Sequence, residues 1–159
     1  MTAPSWALPA RALELGAVDA SGLLDGVLAT LLYFLVGGVV LAVGFVVLDA
    51  LTPGDLRDQV YTQRHASAAV LLGANHLALA VIVVTAIMTS SDGLAQGLID
   101  SAVYGLLGVA LQALALRLLD AFVPGHLRAI VTEPHASAPA WAVAATLLAV
   151  GFVNAAALS

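Results

Sequence analysis

Leu48-Asp49-Ala50-Leu51-Thr52-Pro53-Gly54-Asp55-Leu56-Arg57 returns as Leu119-Asp120-Ala121-Phe122-Val123-Pro124-Gly125-His126-Leu127-Arg128, and that return decides the fold. Asp49, Pro53, Gly54, Leu56 and Arg57 recur 71 positions later as Asp120, Pro124, Gly125, Leu127 and Arg128. His65-Ala66-Ser67-Ala68 recurs at 70 positions as His135-Ala136-Ser137-Ala138, so the second loop is one residue shorter. Each polar loop lies between two long apolar runs. Shared loop punctuation between such runs points to a duplicated membrane hairpin.

The composition agrees. The chain has 159 residues, 62% hydrophobic and 9% charged, with a mean hydropathy of +1.05. Soluble domains carry roughly 25% charged residues. Four spans of about 20 residues, with their loops, use up the length. There is no Lys, and the five Arg form no basic cluster, so nucleic-acid binding has no electrostatic footing. Without Cys there is no disulfide, thiolate metal site or Cys nucleophile.

The apolar runs place spans at about 23–48, 66–88, 94–119 and 138–158. The expected fold is an all-α membrane protein with four transmembrane helices, built as two parallel two-helix hairpin repeats. The repeats cover 22–89 and 90–159, after an N-terminal tail over 1–21. That tail reads as carrying a short interfacial helix over 10–18, with Trp6 near the headgroups. The fourth span, rich in Ala and Gly, reads as packed against protein rather than lipid. Arg57, Arg64, Arg117 and Arg128 gather at the repeated loops, against Arg11 alone opposite, which predicts cytoplasmic loops and external termini. An even number of spans per repeat makes the repeats parallel, unlike the inverted repeats of many alternating-access carriers.

Within the loops, Thr52-Pro53-Gly54 predicts a type II turn, with Gly54 supplying the positive φ. Asp55 is placed to cap a short helix through Val60, and Ser67 to cap the second span. Asp49 and Asp120 stand at helix C-termini, where the dipole disfavours a carboxylate. Arg57 and Arg128, eight positions on, offer each a loop-closing ion pair. Gly37 and Gly44 share a helix face, and Gly108 corresponds to Gly37, so all three mark close helix approach.

Polar residues inside the spans form the other candidate set: Asn75, His76, Asp100, Gln112 and Asn154. A mid-membrane polar group suggests function by default. The simpler reading of Asn75-His76 is a pair bonding across the bundle, worth about 0.6–2 kcal/mol each. The residues 70 positions on, Ala145 and Thr146, lack such groups. Asp100 reads as close to the outer surface, with pairing to His76 or Gln112, or protonation, as the alternatives. Asn154 reads as a packing hydrogen bond. His65, His126 and His135 share the loop side, but their spacing matches no zinc pattern and no metal is expected. No phosphate-binding Gly loop or nucleophile motif occurs, so neither catalytic residues nor a cofactor are expected.

The chain resembles the bacterial membrane family called domain of unknown function 350, or uncharacterised protein family 0719, over roughly residues 22–158. The resemblance is carried by the duplication, by Thr52-Pro53 and Val123-Pro124, and by Ala66-Ser67-Ala68-Ala69 and Ala136-Ser137-Ala138. It is completed by the terminal Gly151-Phe152-Val153-Asn154-Ala155-Ala156. Relatives often have Asn where this chain has His65 and His135. The resemblance implies a partner role at the cytoplasmic membrane in an envelope-stress context. The expected function is therefore a non-enzymatic structural or partner-recruiting module in the lipid bilayer. It would assemble as a homo-oligomer and meet a cytoplasmic or membrane protein at the repeated loops. The alternative is a small oligomeric channel or permease lined by Asn75, His76, Asp100 and Gln112.

Overall fold

A computed structural model of the chain describes residues 20–52, 54–122 and 126–159. The expected helix over 10–18, Trp6, Pro53, Pro124 and Gly125 lie outside the described residues, as does the side chain of His126. Described residues fold into six helices: α1 Ala20–Leu51, α2 Leu56–Tyr61, α3 Ala66–Met88, α4 Leu94–Phe122, α5 His126–Val131 and α6 Ala138–Leu158. The fold is all-α. Helices α1, α3, α4 and α6 are long and apolar enough to cross a bilayer, with best windows of mean hydropathy 2.7, 2.2, 1.8 and 1.9.

Helix α3 matches its expected span, and α6 does too. α1 and α4 run three residues past theirs, to Leu51 and Phe122. Asp49 and Asp120 therefore lie inside the last turns rather than beyond them. Their side chains reach donors on the next short helix, so neither carboxylate has to end its own helix.

α3 is the centre of the bundle, packing against α6, α4 and α1, while α1 also runs along α4. Half of α3's most apolar window is buried, against 17% for α1. Two apolar clusters form the core. The one at the loop end holds Leu48, Leu71, Leu116 and Leu147, and the short helices α2 and α5 insert Leu56, Leu127 and Ile130 into it. Helices of six residues are not stable alone. These two are held because Leu56 and Leu127 are almost fully buried, each worth about 1.5–3 kcal/mol. The other cluster joins Val40, Leu79, Ile82, Val83, Val109 and Ala155.

α6 departs from expectation by burying only one face. Ala140, Ala144, Leu147 and Gly151 turn inward, while Trp141, Phe152 and Val153 are exposed. An Ala-rich composition does not distinguish faces. The choice falls to Gly151, which lets the α6 backbone approach Ala78 of α3.

Candidate functional site

Both loops are closed by the same bond. Leu56 N–H donates to Asp49 Oδ1 at 2.7 Å, and Leu127 N–H donates to Asp120 Oδ1 at 2.8 Å. Among the described residues neither Arg57 nor Arg128 forms the expected ion pair, and both arginines are exposed. The first N–H groups of a helix have no intrahelical acceptor. A carboxylate one loop away satisfies one of them with a charge-assisted bond and no cost of ordering a long Arg side chain. Asp55 caps α2 as its sequence position predicts, accepting from Asp58 N–H at 2.9 Å, and α2 ends at Tyr61, one residue beyond Val60. Gly54 has φ of +101°, the positive value the turn requires.

The second loop is also tied to the start of α3. Ser67 Oγ donates to the His135 carbonyl at 2.8 Å and accepts from Ser137 N–H at 3.3 Å. Ala66 N–H donates to the Pro134 carbonyl at 3.0 Å. Ser67 thus ties the first turn of α3 to the second loop and is not the cap expected for α3. The segment 134–137 crosses the start of α3 and presents a carbonyl to the buried hydroxyl. Ser137, by contrast, does cap its own helix, α6, through Ala140 N–H. His65 precedes α3 with Nδ1 buried and without a partner, and His135 is exposed.

In the spans, Asn75, Gln112 and Asn154 are all buried. Gln112 Nε2 donates to the Leu147 carbonyl at 2.8 Å, which links α4 to α6, while its Oε1 has no partner. Asn154 Nδ2, facing Gly108, is likewise unpaired. Asn75 and Gln112 meet at a cavity of about 10 Å³ between α1, α3 and α4, room for about one water.

His76 is not part of that group. Its Nδ1 bonds the Leu72 carbonyl of its own helix at 2.9 Å, and its ring stands 6.1 Å from Phe45. The expected bond across the bundle is absent, because successive residues of a helix point about 100° apart. Asp100 lies at the opposite end of the bundle from the loops. It accepts from Ser91 Oγ and Gln96 Nε2, both at 2.7 Å, and meets neither His76 nor Gln112.

Gly37, Gly44 and Gly108 stand at helix contacts. A Cβ would meet Val83 at Gly37, Leu79 at Gly44 and Ile82 at Gly108. Sequence reasoning missed two further places, where the neighbour includes backbone atoms. Gly151 packs on the Ala78 backbone, and Gly97 packs under Tyr33, whose hydroxyl lies 3.4 Å from Ser90 Oγ. Gly151 opens the quoted terminal motif, so its signal was present. Tyr33 and Gly97 recur as Tyr104 and Gly26, but those counterparts are exposed, so recurrence alone does not mark the contact.

The family described as Domain of Unknown Function (DUF350) matches residues 22–158. The chain belongs to the DUF350 family. Among curated proteins, this DUF350 chain is 48% identical over 148 residues to a UPF0719 transmembrane protein of Mycolicibacterium paratuberculosis, covering 93% of this chain and 98% of that one. It is 48% identical over 147 residues to similarly named proteins of Mycobacterium bovis and Mycobacterium tuberculosis, covering 92% of this chain and 97% of each. No solved structure matches it. With four apolar helices of spanning length and relatives named as transmembrane proteins, the DUF350 chain is a multi-pass membrane protein.

Proposed function

We propose that this chain is a non-enzymatic membrane module of the cell envelope that recruits a protein partner to a platform made by its two loops. It is built as two parallel two-helix repeats, with the loops cytoplasmic and both termini outside, and it assembles as a homo-oligomer. The observation that supports this reading is the fixation of the loops. Each is closed by an Asp to backbone bond, and the second is pinned to the first turn of α3 through Ser67 with His135 and Ser137 and through Ala66 with Pro134. Loops that only connect spans need no such fixation. A preorganised surface binds with less ordering cost than a mobile one.

The channel reading rests on Gln112 Oε1 and Asn154 Nδ2, buried without partners. The space beside Gln112 holds about one water and does not favour a solute path. Photocrosslinkers placed at the exposed Thr62 and Glu133 are expected to capture a discrete protein in cells, and one at Asp92 is not. Capture from Asp92 alone would reverse the proposed faces. Sidedness has its own check, because the chain has no Cys. Single cysteines at Thr62 and Glu133 are expected to resist an impermeant thiol reagent on intact cells, while Asp92 and Ser159 label. Solute flux in proteoliposomes, abolished by Gln112→Leu at unchanged thermal stability, would replace recruitment with conduction.

A further inference from the structure

A groove runs along the loop end of the bundle between α1, α2 and α3. Phe45 and Tyr61 line two adjoining spaces, one of about 500 Å³ under Arg57 and one of about 320 Å³ that reaches Gly73 and His76. We propose that this groove binds an anionic phospholipid, with its phosphate on Arg57 and an acyl chain laid along Phe45 and Gly73.

The polarity of the groove changes along its length as a lipid does. Phe45, Leu72 and Gly73 belong to the spanning helices, whereas Arg57 and Tyr61 lie on α2 at the loop end. Arg and Tyr at that level carry apolar stems with polar tips that meet headgroups. The charge is complementary as well. Acids of the same loop are engaged locally and not by Arg57: Asp49 by Leu56 N–H, Asp55 by Asp58 N–H and Asp58 by Gln63 Nε2. Arg57 forms no ion pair among the described residues, and its planar guanidinium suits a phosphate.

The floor of the groove is open. A Cβ built on Gly73 meets nothing within 4 Å. His76 spends its Nδ1–H on the Leu72 carbonyl of its own helix. An unfilled apolar groove forfeits dispersion contacts, and in a bilayer an acyl chain is what restores them. The residues 70 or 71 positions on show what a closed version looks like. Leu116, Val131 and Val143, in place of Phe45, Val60 and Gly73, are buried in the core. Among the described residues the loop design occurs twice, and only the first half leaves these positions open.

The test is native mass spectrometry of the full chain in mild detergent, with phosphatidylglycerol and phosphatidylcholine of equal chain length. Phosphatidylglycerol is expected to remain bound after phosphatidylcholine is lost. Arg57→Gln is expected to weaken its retention roughly fivefold, the worth of one Arg near a lipid surface. Arg128→Gln, the exposed counterpart, is expected to change nothing. Gly73→Leu is expected to exclude the chain, and if that variant elutes aggregated, the two Arg variants decide. Equal retention of both lipids, or equal losses from Arg57→Gln and Arg128→Gln, would overturn the proposal. Displacement of phosphatidylglycerol by inorganic phosphate would overturn it too, in favour of a soluble anion. None of these outcomes bears on partner capture at Thr62 and Glu133.

Discussion

Gly151→Ala is expected to destabilise the bundle by about 2 kcal/mol, and the figure comes from a single crossing of helices. A Cβ at Gly151 would lie 2.6 Å from Ala78 Cβ and 2.8 Å from Ala78 Cα. Carbon atoms in contact prefer about 3.5–4.0 Å, so α3 and α6 must separate by roughly 1 Å. Overpacking costs about 1–3 kcal/mol, and the upper end applies because Ala78 Cα belongs to a helix and cannot rotate away. The better helix propensity of Ala returns about 1 kcal/mol. Two other glycines calibrate the estimate. At Gly44 the clash is with Leu79 Cδ1, the end of a rotatable side chain, and the two effects of Gly44→Ala are expected to cancel to within about 1 kcal/mol. At Gly38 nothing lies within 4 Å, so Gly38→Ala keeps only the propensity gain, up to about 1 kcal/mol.

Reversible unfolding by SDS in mixed micelles reads all three. The expected order of midpoints is Gly38→Ala at or above wild type, then Gly44→Ala, then Gly151→Ala. A Gly151→Ala midpoint equal to wild type would mean that α6 does not rest on Ala78. An equal fall in all three would mean that these glycines act through helix flexibility and not through packing.

Three further outcomes can be measured on the same footing. Asp49→Ala and Asp120→Ala are each expected to cost about 1–2 kcal/mol, the range for losing a carboxylate that satisfies helix N–H groups, whereas Arg57→Ala is expected to stay within about 0.5 kcal/mol; the reverse ranking in SDS unfolding would restore the ion-pair account. Ser67→Ala removes both bonds to the 134–137 segment and is expected to cost about 1–3 kcal/mol and to speed proteolysis within the loops; unchanged cleavage would mean that the second loop is not held to α3. Gln112→Leu loses the bond to Leu147 and also removes the unpaired Oε1, so a change within about 1 kcal/mol is expected, and a loss above about 3 kcal/mol would imply a partner for Oε1 in the membrane.

The spans were legible because hydropathy acts on every residue of a run, and α3 and α6 begin and end where the apolar runs do. The Asp55 cap and the positive φ of Gly54 were legible because local chemistry fixes them. The partners of Asp49 and Asp120 were not. An Arg eight positions on is visible in the sequence, but the competing donor, a backbone N–H freed by a helix start, exists only once the helix is placed. Asn75 and His76 failed in a similar way. Adjacency in sequence suggested a pair, yet one turns to Gln112 and the other to Phe45.

What the two halves share and where they part are therefore different kinds of information. The shared residues, Asp49 and Asp120 with Leu56 and Leu127, serve the same backbone bond and the same buried plug in each loop. They explain why the loops fold alike and say little about what either one binds. Where the halves part, at Phe45 and Leu116, Gly73 and Val143, His76 and Thr146, the second half is sealed by its own side chains at Leu116 and Val143. The first half leaves Gly73 open. Sealing is the outcome packing favours, since voids are costly in a core. An opening beside a similar but filled position is therefore a place that an occupant from outside the chain can fill. The exposed Arg57 at its mouth gives that occupant its charge.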